Sequence, residues 1–248
     1  MTVKKVLLTG ASGRIGRTCF KAMCDTYDFI LTDLNVPDYE ISSPHRFIPA
    51  DLSMPGSAVE LLSAGQPDAV VHLAGVPDAD ATFEQLLPAN ILATTLLLEA
   101  VAETSCHRFV FASSAQTIEG YPVDVQIHPG LAVAPANLYG VTKCYGEALC
   151  SFYATQRGLS CVALRIGAFE SKCDALKNAR DFSAWLSPQD AVRLITRAIE
   201  AEDITFFIGY GISDNRFKRF DLSRTREVLG YKPADDAFRE FEPGSLIF

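Results

Sequence analysis

The chain has 248 residues, 48% hydrophobic and 21% charged, which is the composition of an ordinary globular protein and excludes a disordered one. Its formal charge of -8 argues against nucleic acid or an anionic membrane as the main partner. Seven cysteines without a Cys-x-x-Cys pair, and four dispersed histidines, predict reduced core thiols, a cytoplasmic location and no metal site.

The opening "MTVKKVLLTG" reaches a glycine turn after a few apolar residues, which predicts a first strand and no secretion signal. "GRIGRTCFKAMCD" then carries apolar residues at helical spacing. "DFILTD" reads as a second strand and "HRFIPAD" as a third. "SMPGSAVELLSAG" reads as a short helix with Ser53 as N-cap and Gly65 near its end. "PDAVVHLAG" is a fourth strand, in which His72 reads as a satisfied core histidine. A long helix follows over "TFEQLLPANILATTLLLEAVAE", which Pro88 should kink or restart. Thr94, Thr95 and Glu99 interrupt its apolar run, so no stretch is expected to approach a membrane span.

"HRFVFASS" is a fifth strand, and a proline- and glycine-rich loop of about twenty residues follows it, a length usual only for functional or mobile loops. Next comes a helix carrying Tyr139 and Lys143, then "LSCVALRIG" as a sixth strand. After Gly167, "ESKCDALKNARDF" reads as loop, "SPQDAVRLITRAIEA" as a helix capped by Ser187, and "TFFIGYG" as a strand. "SRTREVLGYKP" is a last short helix ended by Gly230. Apolar strands alternating with amphipathic helices imply a doubly wound α/β domain with a parallel sheet buried on both faces.

Gly10, Gly13 and Gly16 in "TGASGRIG" follow the first strand and open the first helix. Gly10 permits the tight turn, Gly13 lets the backbone approach a pyrophosphate, and Gly16 lets the helix pack close to the sheet. Asp33, at the end of the second strand, suits an adenosine ribose diol, with a solvated strand-end acid as the alternative reading. It favours NAD over NADP, while Arg14 and Arg17 near the turn would suit a 2′-phosphate. Asp51 is a candidate for the adenine amino group, and "HLAG" closes the fourth strand beside the same crevice. Tyr139 and Lys143 are four apart on one helix face, so an ammonium could favour the phenolate. Alone that pair arises readily by chance. Cys144 beside it reads as a packed or surface thiol.

The ordered set "TGASGRIG", Asp33, "ADLS", "HLAG", Asn90, "FASS" and "YGVTK" resembles the extended short-chain dehydrogenase/reductase superfamily over essentially the whole chain. The short C-terminal part, with "FASSAQTIEGYP" and "RDFSAWLSPQD", is most similar to the uronate dehydrogenases. The resemblance implies a Rossmann-type doubly wound sheet: a core over residues 1–166, and a small substrate lobe over 167–248 interleaved with its last elements. It implies NAD-dependent oxidation of the anomeric carbon of a free hexuronate to an aldarolactone. Tyr139 would be the base, Lys143 its partner and Ser114 the hydroxyl-binding serine, with Ser113 as the competing serine. The expected cofactor contacts are Gly10, Ser12, Gly13, Arg14, Ile15, Gly16, Asp33, Leu34, Asp51, Leu52, Leu73, Ala74, Gly75, Asn90, Tyr139, Lys143 and Ile166. Ser114, Ala115, Gln116, Tyr139 and Arg180 would meet the substrate, with Arg180 on its carboxylate.

Where those relatives carry Asn-His this chain has Ala115 and Gln116, and two of their serines align with Pro77 and Ala168. Another acidic aldose (phosphorylated or sulfonated) or a neutral one therefore competes with uronate. A nucleotide-sugar epimerase or dehydratase and a non-catalytic NAD-responsive regulator stand behind those. The resemblance also implies a homo-oligomer, a dimer through the helices that begin near Thr82 and Ala136.

Overall fold

The computed structural model describes residues 3–240. The main sheet takes β1 (Lys5–Thr9), β2 (Asp28–Thr32), β3 (Arg46–Phe47), β4 (Ala69–His72), β5 (Arg108–Ser114) and β6 (Ser160–Ile166). After a separate parallel pair, β7 (Ala168–Phe169) and β8 (Trp185–Leu186), the chain returns to this sheet as β9 (Phe206–Gly211). The spatial order is β3-β2-β1-β4-β5-β6-β9, parallel throughout. Order reverses between β1 and β4, the switch point where such sheets open a ligand crevice. This is the expected Rossmann-like doubly wound sheet.

Helices cover both faces because the strands are apolar on both sides; every residue of β4 and β5 is buried. Val6 and Leu8 face a cluster with Phe20 and Met23 of α1 (Arg14–Met23). Leu7 faces the opposite cluster, with Leu61 and Leu62 of α2 (Ser57–Gly65). That second cluster continues through Leu97 and Leu98 to Cys150.

The predicted long helix is three segments in one rod: α3 (Phe83–Leu86), a π turn (Leu87–Leu92) and α4 (Ala93–Ala102). Pro88 has no amide hydrogen to continue the α ladder, and Ala93 N donates five residues back to Pro88 O. The rod, Phe83–Ala102, has a membrane span's length and a mean hydropathy of 1.4 over its most apolar window, against the sequence expectation. Its buried face, which includes Leu97, Leu98 and Val101, packs in the second core cluster.

Two other expectations are corrected. Ser53 does not cap α2: its hydroxyl and amide both turn to Asp51 Oδ1, at 2.6 and 2.9 Å, and Gly56 at φ 88 precedes the helix. The segment after Gly167 is not plain loop. It holds β7, a short 3-10 turn at Cys173–Ala175 and α6 (Ala179–Ser183), because Cys173, Leu176, Phe182 and Trp185 bury their own small cluster against Ala237.

Between β5 and β6 run a 3-10 turn (Ala115–Ile118), the long loop and α5 (Leu138–Arg157). α7 (Pro188–Glu200) starts as predicted, with Ser187 Oγ accepting from Asp190 N at 3.0 Å. α8 (Ser223–Leu229) ends at Gly230, φ 64, and α9 (Ala237–Glu240) closes the described chain.

Candidate active site

At the switch point lies the turn from β1 into α1. Gly10 lies at φ 68, and a Cβ there would come 2.7 Å from Ala74 N. A Cβ on Gly16 would fall 2.2 Å from Gly10 O. The turn therefore keeps bare backbone at a helix N-terminus, the chemistry that receives a pyrophosphate. Gly13 is the residue before the first helical turn, and its amide donates to Gly10 O at 3.0 Å.

Asp33 is held beside this turn, its carboxylate accepting from Ser12 N at 3.0 Å and Asn35 N at 3.2 Å. A fixed carboxylate at the end of β2 fits a ribose diol and repels a 2′-phosphate. The two arginines that would suit NADP are engaged elsewhere. Arg14 pairs with Glu170 at 2.5 Å and donates to Phe169 O at 2.7 Å, and Arg17 pairs with Asp38 at 2.7 Å. The residues present thus fit a dinucleotide without the 2′-phosphate.

The remaining expected nucleotide neighbours also follow strand ends. Leu73 N donates to Thr9 O at 3.3 Å and Ala74 N to Thr9 Oγ1 at 3.2 Å, which seats Leu73, Ala74 and Gly75 against the glycine turn. Ile15 packs on the core, Ile166 ends β6, and Leu52 is buried next to the exposed Asp51. Leu34 is 69% exposed.

His72 is a core residue, as its surroundings in the sequence suggest. Its ring nitrogens meet Thr9 Oγ1 at 2.8 Å and Thr94 Oγ1 at 3.1 Å. Burial, with Lys143's charge behind it, pulls its pKa down to about 3, so the imidazole is neutral. Asn90 lies in the π turn and clamps three chain segments. Its Oδ1 accepts from Val76 N at 2.8 Å; its Nδ2 donates to Val76 O at 3.2 Å and Thr142 Oγ1 at 3.0 Å.

α5 brings up the tyrosine and lysine. Asn137 caps it, with Oδ1 accepting from Gly140 N at 2.8 Å and Nδ2 donating to Gln116 Oε1 at 2.7 Å. Tyr139 is buried, and the Ser114 hydroxyl lies close enough to its phenol to favour the phenolate. Successive strand residues face opposite ways. Ser113, the competing serine, accordingly turns from Tyr139 and donates to Glu147 Oε1 at 2.6 Å. Lys143 Nζ sits 5.6 Å from the Tyr139 ring centroid and 4.9 Å from that of Phe111.

Burial dominates the electrostatics here. It pulls the Lys143 ammonium down to about 8 and pushes the Tyr139 phenol above its ordinary value, with the nearby Ser114 hydroxyl acting the other way. In the protein alone, therefore, the phenol stays above its ordinary value despite Lys143. Of the other expected substrate neighbours, Ala115 is buried, and Gln116 is bound to Asn137 and donates its amide to Ser114 Oγ at 3.2 Å. Cys144 is partly buried, and burial raises its thiol to about 11, away from the thiolate form.

Arg180, expected to wait for a substrate carboxylate, is already paired. Its Nη2 donates to Glu119 Oε2, and its Nη1 lies 3.5 Å from Asp181 Oδ1. Glu119 Oε1 also faces Arg219 Nη1 at 3.6 Å, and Arg219 is fixed by donating to Tyr121 O at 3.0 Å.

The sequence reading missed this cluster, and missed a second buried one below the strand ends. Arg165 grips Glu147 with two bonds of 2.8 Å and donates to Tyr210 at 3.0 Å. A charge inside an apolar strand, as in "VALRIG", requires a buried counter-charge, and Glu147 one turn past Lys143 was the available partner. Glu119 gave no such signal, because nothing local links the long loop to the segment of Arg180.

Residues 6–186 match the NAD dependent epimerase/dehydratase family. The chain is 35% identical over 235 residues to the uronate dehydrogenase of Pseudomonas putida, covering 94% of this chain and 85% of that one. It is 33% identical over 250 residues to an NAD-dependent glucose-6-phosphate dehydrogenase of Haloferax volcanii, covering 94% of each. A crystal structure of a mutant uronate dehydrogenase from Agrobacterium tumefaciens, complexed with NAD, superposes with a TM-score of 0.87 at 30% identity. That match covers 98% of this chain and 91% of that one.

Proposed function

Since this chain belongs to the NAD dependent epimerase/dehydratase family and is an NAD-dependent sugar oxidoreductase, we propose that it oxidises the anomeric carbon of a free aldose to a lactone. The observation that carries the reading is the grouping of Ser114 at the end of β5 with Tyr139 and Lys143 on helix α5, Ser114 close enough to favour the phenolate and Lys143 Nζ 5.6 Å from the tyrosine ring. NAD supplies a hydride acceptor when bound.

The chain's own residues do the rest. Ser114 holds the anomeric hydroxyl against Tyr139. The phenolate oxygen of Tyr139 takes the hydroxyl proton as the C1–H electron pair leaves, and the C1–O bond becomes a carbonyl. The balance is one aldose and NAD in, and lactone, reduced cofactor and one proton out. The buried ammonium of Lys143, together with the positive charge that bound NAD would bring beside it, would favour the phenolate. Asn90 joins the loop after β4 to α5, which orients the tyrosine. In this reading Gly10, Gly13, Gly16 and Asp33 carry the cofactor.

The expected hexuronate has its arginine in Arg180, but that guanidinium is not free. Uronate dehydrogenase and glucose-6-phosphate dehydrogenase are both among the relatives, so similarity leaves the substrate's charged group open. The experiment is to mix protein and NAD with free aldoses, uronates and sugar phosphates, and to follow reduced cofactor and lactone together. Lactone and NADH in equal amounts are expected. NADH with none of them, or NADH without lactone, contradicts the reading.

A further inference from the structure

We propose that Glu119 is a specificity-determining residue: it occupies the Arg180 seat as an internal counter-ion and reserves the sugar site for an uncharged aldose. This rests on the anomeric-oxidation reading and adds the substrate class.

Placement comes first. Ser114 is followed directly by the 3-10 turn Ala115–Ile118, and Glu119 is the next residue. At roughly 2 Å of rise per residue, Glu119 lies about 10 Å along the chain from the serine. Gln116 of that turn donates its backbone N–H to Ser114 Oγ at 3.2 Å, which fixes the turn leading to Glu119 against the serine. Glu119 and Arg180 are 15% and 29% exposed, so this pair keeps an open side.

Charge comes second. Arg180 and Arg219 bring two positive charges to the cluster, and Glu119 and Asp181 bring two negative ones. A substrate carboxylate or phosphate arriving at Arg180 would meet a neutralised guanidinium flanked by two like charges. The Nε atom of Arg180 and the Nε and Nη1 atoms of Arg219 are buried without a hydrogen-bond partner, so their spare donors are not offered at the surface.

Third, Glu119 is not free to swing away. Arg219 is 4% exposed, and among the described residues Glu119 is its one carboxylate partner. Withdrawing that carboxylate would leave a buried cation unpaired, which is strongly destabilising. A carboxylate held between two guanidiniums still has spare lone pairs. Those can accept the hydroxyl hydrogens of a neutral sugar.

The test measures kcat/KM with saturating NAD for glucose, galactose and arabinose against glucuronate, galacturonate and glucose 6-phosphate. The wild-type protein should favour its best neutral sugar at least about tenfold over the best anion, since like charges discriminate strongly. Glu119→Gln, checked for folding by thermal denaturation, should narrow or reverse that ratio by at least about tenfold. A wild-type preference for uronate or phosphate overturns the proposal, and so does an unchanged ratio in a folded Glu119→Gln protein. Calorimetric titration of NAD-loaded Tyr139→Phe protein with galactose and with galacturonate ranks the two without turnover. Tighter galactose binding supports the charge assignment even if the chemistry is other than anomeric oxidation; tighter galacturonate binding overturns it.

Discussion

Asn90 Nδ2 donates to Thr142 Oγ1 at 3.0 Å, which ties the π turn of one long helix to the helix carrying Tyr139 and Lys143. Asn90 also holds both backbone polar groups of Val76, and it is 2% exposed. Asn90→Ala leaves those part-buried groups and the buried Thr142 hydroxyl without that partner, at a cost of about 1–3 kcal/mol. Urea denaturation should show a lower midpoint with an unchanged slope. An unchanged midpoint would contradict the clamp.

His72 makes the acid limb of stability predictable. Its folded value of about 3 lies below its ordinary 6.5, so between those pH values the unfolded chain binds a proton that the folded one does not. Stability then falls as pH drops from 6.5 towards 3, by at most about 1.4 kcal/mol per pH unit. His72→Gln keeps groups that can bond Thr9 and Thr94, and should flatten this limb. Lys143 has the same sign at alkaline pH: held at about 8 against 10.5, it makes stability rise across that window. Denaturation midpoints across pH check both.

Glu147 and Arg165 form a buried bidentate pair under the strand that carries Ser114. Glu147→Ala strands a guanidinium that is 5% exposed and should cost about 3–5 kcal/mol. Glu147→Gln, which keeps one acceptor, should cost less. Equal losses in the two variants would show that charge pairing is not what Glu147 supplies.

Much of this was legible in the sequence. Glycine spacing marked the turn from β1 into α1, and strand-end position set Asp33 beside it. Strand alternation makes Ser113 and Ser114 face opposite ways, so one serine had to turn towards Tyr139. β3 shrank to two residues because "HRFIPAD" carries a basic residue and a proline where a longer strand would need ladder donors and an apolar face. Asp51 took Ser53 from α2, since a carboxylate two residues away offers a closer partner than the helix amides. The Arg180–Glu119 pair was illegible, because it joins positions that only the folded lobe brings together.

Asp33 should govern cofactor choice. Its carboxylate is pinned by Ser12 and Asn35 amides, with Arg14 and Arg17 both paired away from it. Asp33→Ser removes the ribose acceptor and the charge that opposes a 2′-phosphate. KM for NAD should rise about tenfold and the preference over NADP should fall, from the loss of one charged hydrogen bond. Steady-state kinetics with both cofactors decide this, and unchanged discrimination would remove Asp33 from the role.

The most direct test of the account is kcat for the best aldose in wild-type and Tyr139→Phe protein, with NAD affinity measured alongside. Loss of a general base predicts a fall of about a hundred- to ten-thousand-fold with NAD binding retained. A Tyr139→Phe protein that binds NAD and turns over within a few-fold of wild type would contradict it.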